Sequence, residues 1–357
     1  MNRDIINVGV LGCGAVAQIA HLPAFERTHR ARLVALCDSA EDLLAAVGSK
    51  YAVDRLYTRF EDLLADPQVE AVLVAVSDAA HVPLSRRALN AGKHVLVEKP
   101  LGTNTAECLE LAQLVHARGL VLQVGNMKRH DPGVAFAKQF VEERLGPVLS
   151  IAGVYRDSQF RQAMQESCLD RLLTSKSPLV AGRTDAKADR ETYNLWTQGA
   201  HLIDLLVYLG GTVTAVTAQV ARLAGQCSWH GLLEFASGSR GHFELTCKSC
   251  GDWHEQYTVL GEHGSVDVRV GLPFYHRPAE ARAFDGRLQR WIQPLGQRSN
   301  SYVNQLEAFA HSVLDRRPAN PTADEGVVVV QLLEAISRSI AGERRVTIAS
   351  IPRHSCV

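Results

Sequence analysis

Few local patterns leave a chain as little freedom as the stretch from Ile5 to Asp38. The apolar run Ile5-Ile6-Asn7-Val8-Gly9-Val10-Leu11 reads as a buried strand by its length and β-branched content. Gly12-Cys13-Gly14-Ala15-Val16-Ala17 comes at once in the pattern G-x-G-x-x-A, and a helix-forming segment continues through Ala24-Phe25-Glu26. A second apolar run, Arg32 to Cys37, ends in Asp38. Each residue type has a reason in this pattern. Gly12 permits a tight turn, Gly14 lets the backbone approach a pyrophosphate, and Ala17 lets helix and strand pack closely. The phosphates of a dinucleotide would sit on the unpaired N–H groups at the helix start. Asp38, at the end of the second strand, is placed to accept hydrogen bonds from a ribose 2′-OH. The plainer alternative is a glycine-containing βα turn in some other doubly wound protein.

Beyond Asp38 the chain alternates at βαβ spacing. Helices are expected at Glu41 to Gly48, Phe60 to Leu64, His81 to Ala91 and Thr105 to Arg118. Between them lie a short return at Tyr57-Thr58 and strands at Val69 to Val76, His94 to Val97 and Leu120 to Val124. The run Val69 to Val76 is almost unbroken in its apolarity, the mark of a parallel strand buried on both faces. Residues 1–124 therefore read as one α/β domain built on a doubly wound parallel sheet.

The pattern then changes. A helix from about Pro132 to Arg144 leads into an alternating strand, Val148 to Tyr155, and then a polar, irregular segment from Arg156 to Trp196. A helix is expected from Gly199 to Leu209. Strands come next at Val213 to Arg222, Ser228 to Phe235, Arg240 to Thr246, Glu255 to Leu260 and Ser265 to Val270, with closing helices at Tyr302 to Asp315 and Thr322 to Ile340. Residues 125–357 thus form a second, α+β domain with a largely antiparallel sheet. A chain of 357 residues is long enough for two separate cores.

With 38 basic and 38 acidic residues the chain has no electrostatic footprint for nucleic acid or an anionic membrane, and neither is expected as a partner. No apolar run reaches the roughly 18–20 residues that span a bilayer, and the start of the chain lacks a signal-peptide pattern. Eight cysteines lie scattered, several within expected strands and helices, which points to reduced thiols in a cytoplasm. Cys247-x-x-Cys250 would need His242 or His254 to complete a zinc site; two strand cysteines are the simpler reading, and no metal is expected.

Two further stretches carry chemistry. Glu98-Lys99-Pro100 closes a strand at the end where open α/β sheets place ligands, and Pro100 pushes Lys99 toward extended backbone. The alternative is a strand-end lysine facing water. Gly199-Ala200-His201-Leu202-Ile203-Asp204 sets His201 and Asp204 on one helix face, after the polar pair Thr197-Gln198. An imidazole titrates near neutrality and suits proton transfer with an alcohol. A cap or a packed core histidine is the alternative.

With these residues in view, the chain resembles, over essentially its whole length, the family of glucose–fructose oxidoreductase, inositol dehydrogenase and rhizopine-catabolism proteins (Gfo/Idh/MocA). The resemblance is carried by the glycine motif, Glu98-Lys99-Pro100, the run Val124 to Pro132, Gly199-x-His201-x-x-Asp204 and Gly261-Glu262-His263-Gly264-Ser265. It implies a Rossmann domain plus an open-faced sheet domain, with NAD or NADP between them and hydride transfer at a carbinol carbon of a sugar, cyclitol or sugar conjugate. It implies that Lys99 polarises the reacting oxygen and that His201 exchanges the proton. Lys128 and Asp157 fall where the family often touches substrate hydroxyls, and Tyr155 and Asp204 stand beside them as substrate candidates. Cofactor contacts are expected from Gly12, Cys13, Gly14, Ala15, Val16, Asp38, Ser39, Ser77, His81, Glu98, Lys99 and Asn126. A homodimer or homotetramer through the second sheet is a further expectation from the family.

Two departures stand out. Thr197 occupies the position, four before the histidine, where family dehydrogenases often carry an aspartate; a hydroxyl can orient an imidazole but cannot stabilise its cation by charge. Asp157, Asp204 or Glu191 are the carboxylates that could substitute. Val76-Ser77-Asp78-Ala79-Ala80-His81 keeps only the histidine of the family's Thr-Pro-Asn-x-x-His.

The expected activity is NAD-dependent oxidation of a secondary alcohol of a sugar, aminosugar or cyclitol derivative. NAD is favoured over NADP because Asp38-Ser39-Ala40 offers a 2′-phosphate no arginine. The rivals are a keto-sugar reductase and a dinucleotide- and sugar-sensing regulator on the same fold. Arg156 to Trp196, with Arg161, Arg171, Lys176, Arg183, Lys187 and Arg190 among Asp170, Asp185, Asp189 and Glu191, is longer than an ordinary loop. It is expected to wall the substrate cleft, with Tyr193 and Asn194 facing a second ring or a phosphate; a solvated surface excursion or a subunit contact is the alternative.

Overall fold

The computed structural model describes residues 4–166, 172–176, 189–296 and 299–349. Arg171, Arg183, Lys187, Asp170 and Asp185 lie outside the described residues.

The first sheet forms as the apolar runs require. Its elements are β1 (Ile6–Leu11), α1 (Leu22–Phe25), β2 (Ala31–Cys37), α2 (Glu41–Tyr51), β3 (Leu56–Tyr57), α3 (Phe60–Ala65), β4 (Ala71–Val74), α4 (His81–Asn90), β5 (His94–Glu98), α5 (Thr105–Arg118) and β6 (Leu122–Gly125). Among the described residues the six strands lie in the order β3-β2-β1-β4-β5-β6, all parallel. This is the doubly wound order whose reversal, between β1 and β4, opens a crevice at the strand ends. Every residue of β4 is buried, as its unbroken apolarity demands. Local signals set the helix ends: Asn104 caps α5 by accepting from Glu107 N at 3.0 Å, and Gly119, in the left-handed region, ends it. The helix after the glycine turn is not regular, because Ala17–His21 forms a turn of π-helix ahead of α1.

The second layer comprises α6 (Pro132–Glu143), β7 (Val148–Ser158), α7 (Arg161–Glu166), α8 (Arg190–Gly210), β8 (Val213–Leu223), β9 (Gln226–Phe235), β10 (Arg240–Ser249), β11 (His254–Gly261), β12 (Gly264–Arg269), β13 (Glu280–Asp285), β14 (Arg290–Ile292), α9 (Ser301–Leu314), α10 (Ala323–Gly342) and β15 (Val346–Thr347). Its nine described strands run β14-β13-β12-β11-β7-β10-β9-β8-β15, antiparallel except for the pair β7–β10. Helices α6, α8 and α10 cover one face with a core that includes Tyr155, Leu206, Phe243, Val259 and Leu333. The other face carries exposed Leu149, Leu223, Leu232 and Leu260.

Two expectations need correction. Helix α8 begins nine residues before Gly199, because Asp189 caps it by accepting from Glu191 N and Thr192 N at 3.1 Å. Thr197, Gln198 and His201 are therefore mid-helix residues, not a helix start. Strands β13, β14 and β15 were not expected; β14 and β15 are edge strands of three and two residues, and β13, paired between β12 and β14, turns only small residues, Ala281 and Ala283, toward the core. Two helices from the 125–357 segment also pack on the first domain. Tyr302, Leu306, Phe309 and Ala310 of α9 bury against Ile6, Val8 and Val10 of the first domain, and Ala323, Val327 and Val330 of α10 do so against Val72 and Leu122. The other side of α10, through Val329, Leu332, Leu333 and Ile336, belongs to the second core.

Among the described residues no helix is long and apolar enough to cross a membrane. Nor does any group of three or more His, Cys, Asp or Glu side chains lie arranged to hold a metal ion. Cys247 is buried on β10 and Cys250 is exposed beyond it.

Candidate active site

The glycine turn leads directly from β1 into the crevice. Gly12 has φ +97°, and a Cβ there would stand 2.3 Å from the Ala75 carbonyl oxygen, so only glycine fits. At Gly14 the reason is different: a Cβ would meet no protein atom within 4 Å, which leaves an open approach in front of the helix start. Gly14, Ala15, Ser39 and Ser77 are exposed along this opening and Val16 is half-buried. Asp38 braces the turn, accepting from Cys13 N at 2.8 Å through Oδ2 and from Ala40 N at 2.9 Å through Oδ1. Cys13 is fully buried, and burial together with Asp38 and Cys37 pushes its thiol up to about 12. With a neutral thiol and no exposed surface, Cys13 has its backbone to offer a cofactor.

Glu98 and Lys99 end β5 beside this opening. Burial would raise the Glu98 carboxyl, but His21 Nε2, 2.7 Å from Oε1, with the charges of Lys99 and His81, holds it below its usual range. Glu98 Oε2 accepts from Lys99 N at 3.1 Å, and the Lys99–Pro100 peptide is cis. Lys99 Nζ donates to the Thr197 carbonyl oxygen at 3.1 Å, and burial lowers its amine from the ordinary value against the pull of Glu98 and Asp78. His81 is fully buried, its Nδ1 2.7 Å from the Pro100 oxygen. It supports the lysine strand from beneath and does not face the opening as expected. Asn126 is buried, with an Oδ1 that has no hydrogen-bond partner.

The other wall comes from β7, α8 and β11. His201 is 9% exposed, nearly parallel to the Tyr155 ring at 6.3 Å, and its buried Nδ1 has no partner. Burial, then the positive charges of Lys128, Lys99 and Arg161, sets its pKa well below the ordinary value, so the imidazole is neutral at neutral pH. The Thr197 hydroxyl, one turn away on the same face, is also buried without a partner; it does not bond the imidazole. Tyr155 donates its hydroxyl to Gln198 Oε1 at 2.7 Å. Lys128 donates to Glu255 Oε2 at 2.6 Å, and its ammonium stands 4.7 Å from the Tyr155 ring centre and 5.6 Å from that of Trp253. Asp157 is buried with an unpartnered Oδ1; the Arg161 Nε lies 3.5 Å away, too far for a good hydrogen bond. Burial raises the Asp157 carboxyl from its usual value, opposed by Arg161, Lys128 and Lys248.

Asp204 does something other than was expected. It is 1% exposed and grips Arg129 through bonds of 2.7–3.1 Å, while Arg129 Nη1 reaches Glu325 Oε1 at 2.6 Å. It is committed to joining α8 to α10, and has no face toward a substrate. Glu191 pairs with Arg222 at 2.7 Å, so it is not the missing carboxylate either. Asn194 lies seven residues before His201, hence about 10 Å up the same helix face, with Tyr193 beside it, both half-buried.

His21, Gln18, Glu255 and Trp253 belong to this region and were not singled out in the sequence, and Gln198 was noted only as one of a polar pair. Gln198 was within reach of helix periodicity, being three residues from His201. His21 meets Glu98 across 77 positions, a juxtaposition that no local pattern announces.

The doubly wound sheet, the glycine turn and a lysine at the end of β5, bonded to the helix that carries a buried histidine, define a two-domain dinucleotide-binding oxidoreductase. Residues 6–126 match the model of the oxidoreductase family with the NAD-binding Rossmann fold, and residues 194–348 match that family's C-terminal α/β domain. The chain belongs to the Gfo/Idh/MocA oxidoreductase family. It is 26% identical over 351 residues to inositol 2-dehydrogenase 2 of Saccharopolyspora erythraea, covering 94% of this chain and 93% of that one. An inositol 2-dehydrogenase/D-chiro-inositol 3-dehydrogenase of Shouchella clausii is 37% identical over 157 residues, 43% of this chain and 45% of its own. Among solved structures, GenD2 from gentamicin A biosynthesis, in complex with NAD, is 27% identical with a TM-score of 0.76 over 98% of both chains. Levoglucosan dehydrogenase in complex with NADH shares the fold, with a TM-score of 0.79 at 20% identity, covering 97% of this chain and 100% of that one.

Proposed function

We propose that this enzyme is an NAD-dependent dehydrogenase of a secondary alcohol on a sugar, aminosugar or cyclitol derivative. The observation that carries the reading is a set of buried polar atoms without hydrogen-bond partners on the segments around Lys99 and His201: Asn126 Oδ1, Asp157 Oδ1, Thr197 Oγ1 and His201 Nδ1. Buried polar atoms are normally hydrogen-bonded, and a hydroxyl-rich ring is the kind of ligand that supplies donors and acceptors to such a set.

The dinucleotide fits the residues present, with Gly14 leaving room for the pyrophosphate and Asp38 presenting a carboxylate at the end of β2. Bound NAD supplies the hydride acceptor. The rest of the work falls to the chain. His201, neutral, is able to take the hydroxyl proton. Lys99 is able to stabilise the developing alkoxide, an interaction worth more as charge builds than in the ground state. Lys128, Asp157 and Tyr155 orient the ring, and Asn194 with Arg161 extends the cleft toward a second ring or a phosphate. The carboxylate of Asp38 favours NAD, since it would repel a 2′-phosphate.

The test is NAD reduction across cyclitols, aminosugars, monosaccharides and their glycosylated or nucleotide-linked forms. Turnover of at least one polyol, lost in Lys99→Ala, is the expected result. Stoichiometric NAD binding with no turnover on any of them would overturn it in favour of a sensing protein. Preference for a free monosaccharide over its conjugates would remove the extended cleft from the proposal.

A further inference from the structure

Between α7 and α8 the described chain leaves the second domain and lies on the first. Residues Leu172 to Lys176 belong to the segment expected to wall the substrate cleft, and their partners lie in the first domain. They are seated at two points of the dinucleotide motif. The Gln18 carboxamide donates to Leu173 O and accepts from Leu173 N, both at 3.0 Å, which is how a neighbouring strand would read that residue. Gln18 is 6% exposed and also donates to Cys13 O at 2.8 Å. Its Oε1 is therefore a buried acceptor served by Leu173. The Leu173 side chain packs against the core beneath β1 and α1. At the other end, Asp42 accepts from Ser175 Oγ and from Lys176 N, each at 2.6 Å. Those two bonds hold the Asp42 carboxyl below its usual range.

The two seats stand on either side of Asp38. Gln18 reaches it through Cys13, whose N–H donates to Asp38 Oδ2. Asp42 comes just after Ala40, whose N–H donates to Asp38 Oδ1. Gly14, Ala15 and Ser39, the chain neighbours of Cys13 and Asp38, are exposed. We propose that Leu172–Lys176 is a clasp over the adenosine end of the bound dinucleotide, fastened to Gln18 and Asp42 across the acid that reads the ribose. This rests on Asp38 being the ribose ligand. The clasp must lift for the dinucleotide to exchange, so it slows release and adds affinity at the adenosine half while leaving the nicotinamide half untouched.

The test is binding to the full chain, with NAD, ADP-ribose and nicotinamide mononucleotide as separate probes. Leu173→Pro removes the N–H that Gln18 accepts and spares the Gln18–Cys13 bond; Asp42→Ala removes the other seat. Each lost hydrogen bond should weaken NAD and ADP-ribose roughly 3- to 10-fold and speed their release by a similar factor, with nicotinamide mononucleotide unchanged. In the unaltered protein, ADP-ribose should slow hydrogen exchange at the Leu173 and Lys176 amides. Unchanged affinity and release rate in both variants would refute the clasp, as would an equal loss for nicotinamide mononucleotide. A wild-type chain that binds no NAD would overturn the dinucleotide reading itself, a separate failure visible without any substrate.

Discussion

Lys99 Nζ donates at 3.1 Å to the main-chain oxygen of Thr197, the residue one helical turn before His201. By helix geometry that same oxygen is the acceptor for the His201 backbone N–H. The lysine from the end of one sheet is thereby held against the turn of helix that carries the histidine, and the two candidate groups share one anchor. Lys99→Ala should lower kcat roughly 10²- to 10³-fold, the scale of losing one preorganised partner of a developing oxyanion. NAD affinity should stay within a few fold. Steady-state kinetics beside a direct NAD titration checks both, and retention of most of kcat would remove the role.

Proton transfer has a testable pH signature. Because His201 is buried among Lys128, Lys99 and Arg161, its pKa lies well below the ordinary histidine value. The basic form is the one required, so kcat/KM for oxidation should complete its rise well on the acid side of neutrality. A limb at pH 6–7, the expectation for an unperturbed imidazole, is corrected by that burial. Thr197→Asp places a carboxylate one turn away and should move the limb to higher pH. His201→Asn should abolish it; an identical profile in that variant would hand the proton to another group, Asp157 first.

Cofactor choice turns on Asp38. Asp38→Ala should erode the preference for NAD over NADP in kcat/KM, since it removes a ribose partner and a charge that repels a 2′-phosphate. A wild-type preference for NADP would show that the carboxylate is spent entirely on Cys13 N and Ala40 N.

Stability rests in part on Arg129 and Asp204, whose side chains are 0% and 2% exposed. Replacing one partner strands a buried charge, which costs about 3–5 kcal/mol. Asp204→Asn should lower the denaturant midpoint by a corresponding amount, measured by urea unfolding. A midpoint equal to that of the wild type would show that the guanidinium is satisfied by Glu325 and Asn320 alone.

Features set by short stretches of chain were legible in the sequence, and those set by distant partners were not. The doubly wound sheet is written in runs such as Val69 to Val76, and α5 is bounded by Asn104 and Gly119 because a cap and a left-handed glycine are local signals. Gly199 misled because glycine ordinarily marks a helix end; here it sits inside α8, where Leu333 of α10 comes within 3.0 Å of the space a side chain would take. The strap at Leu173 and Ser175 has no local signature because Gln18 and Asp42, its partners, are 155 and 133 positions away. His81 and Asp204 were singled out by spacing yet are bonded to buried partners, since burial is a property of the assembled core and not of spacing.

Helix α10 contributes one flank to each hydrophobic interior, Val327 and Val330 on one side, Leu332 and Ile336 on the other. Neither half of the molecule can melt without stripping a wall from its neighbour. A fragment ending near residue 126 would contain the whole parallel sheet yet lack α9 and α10, and should not persist as a folded body. Heat or urea should therefore dissolve both halves in a single cooperative transition.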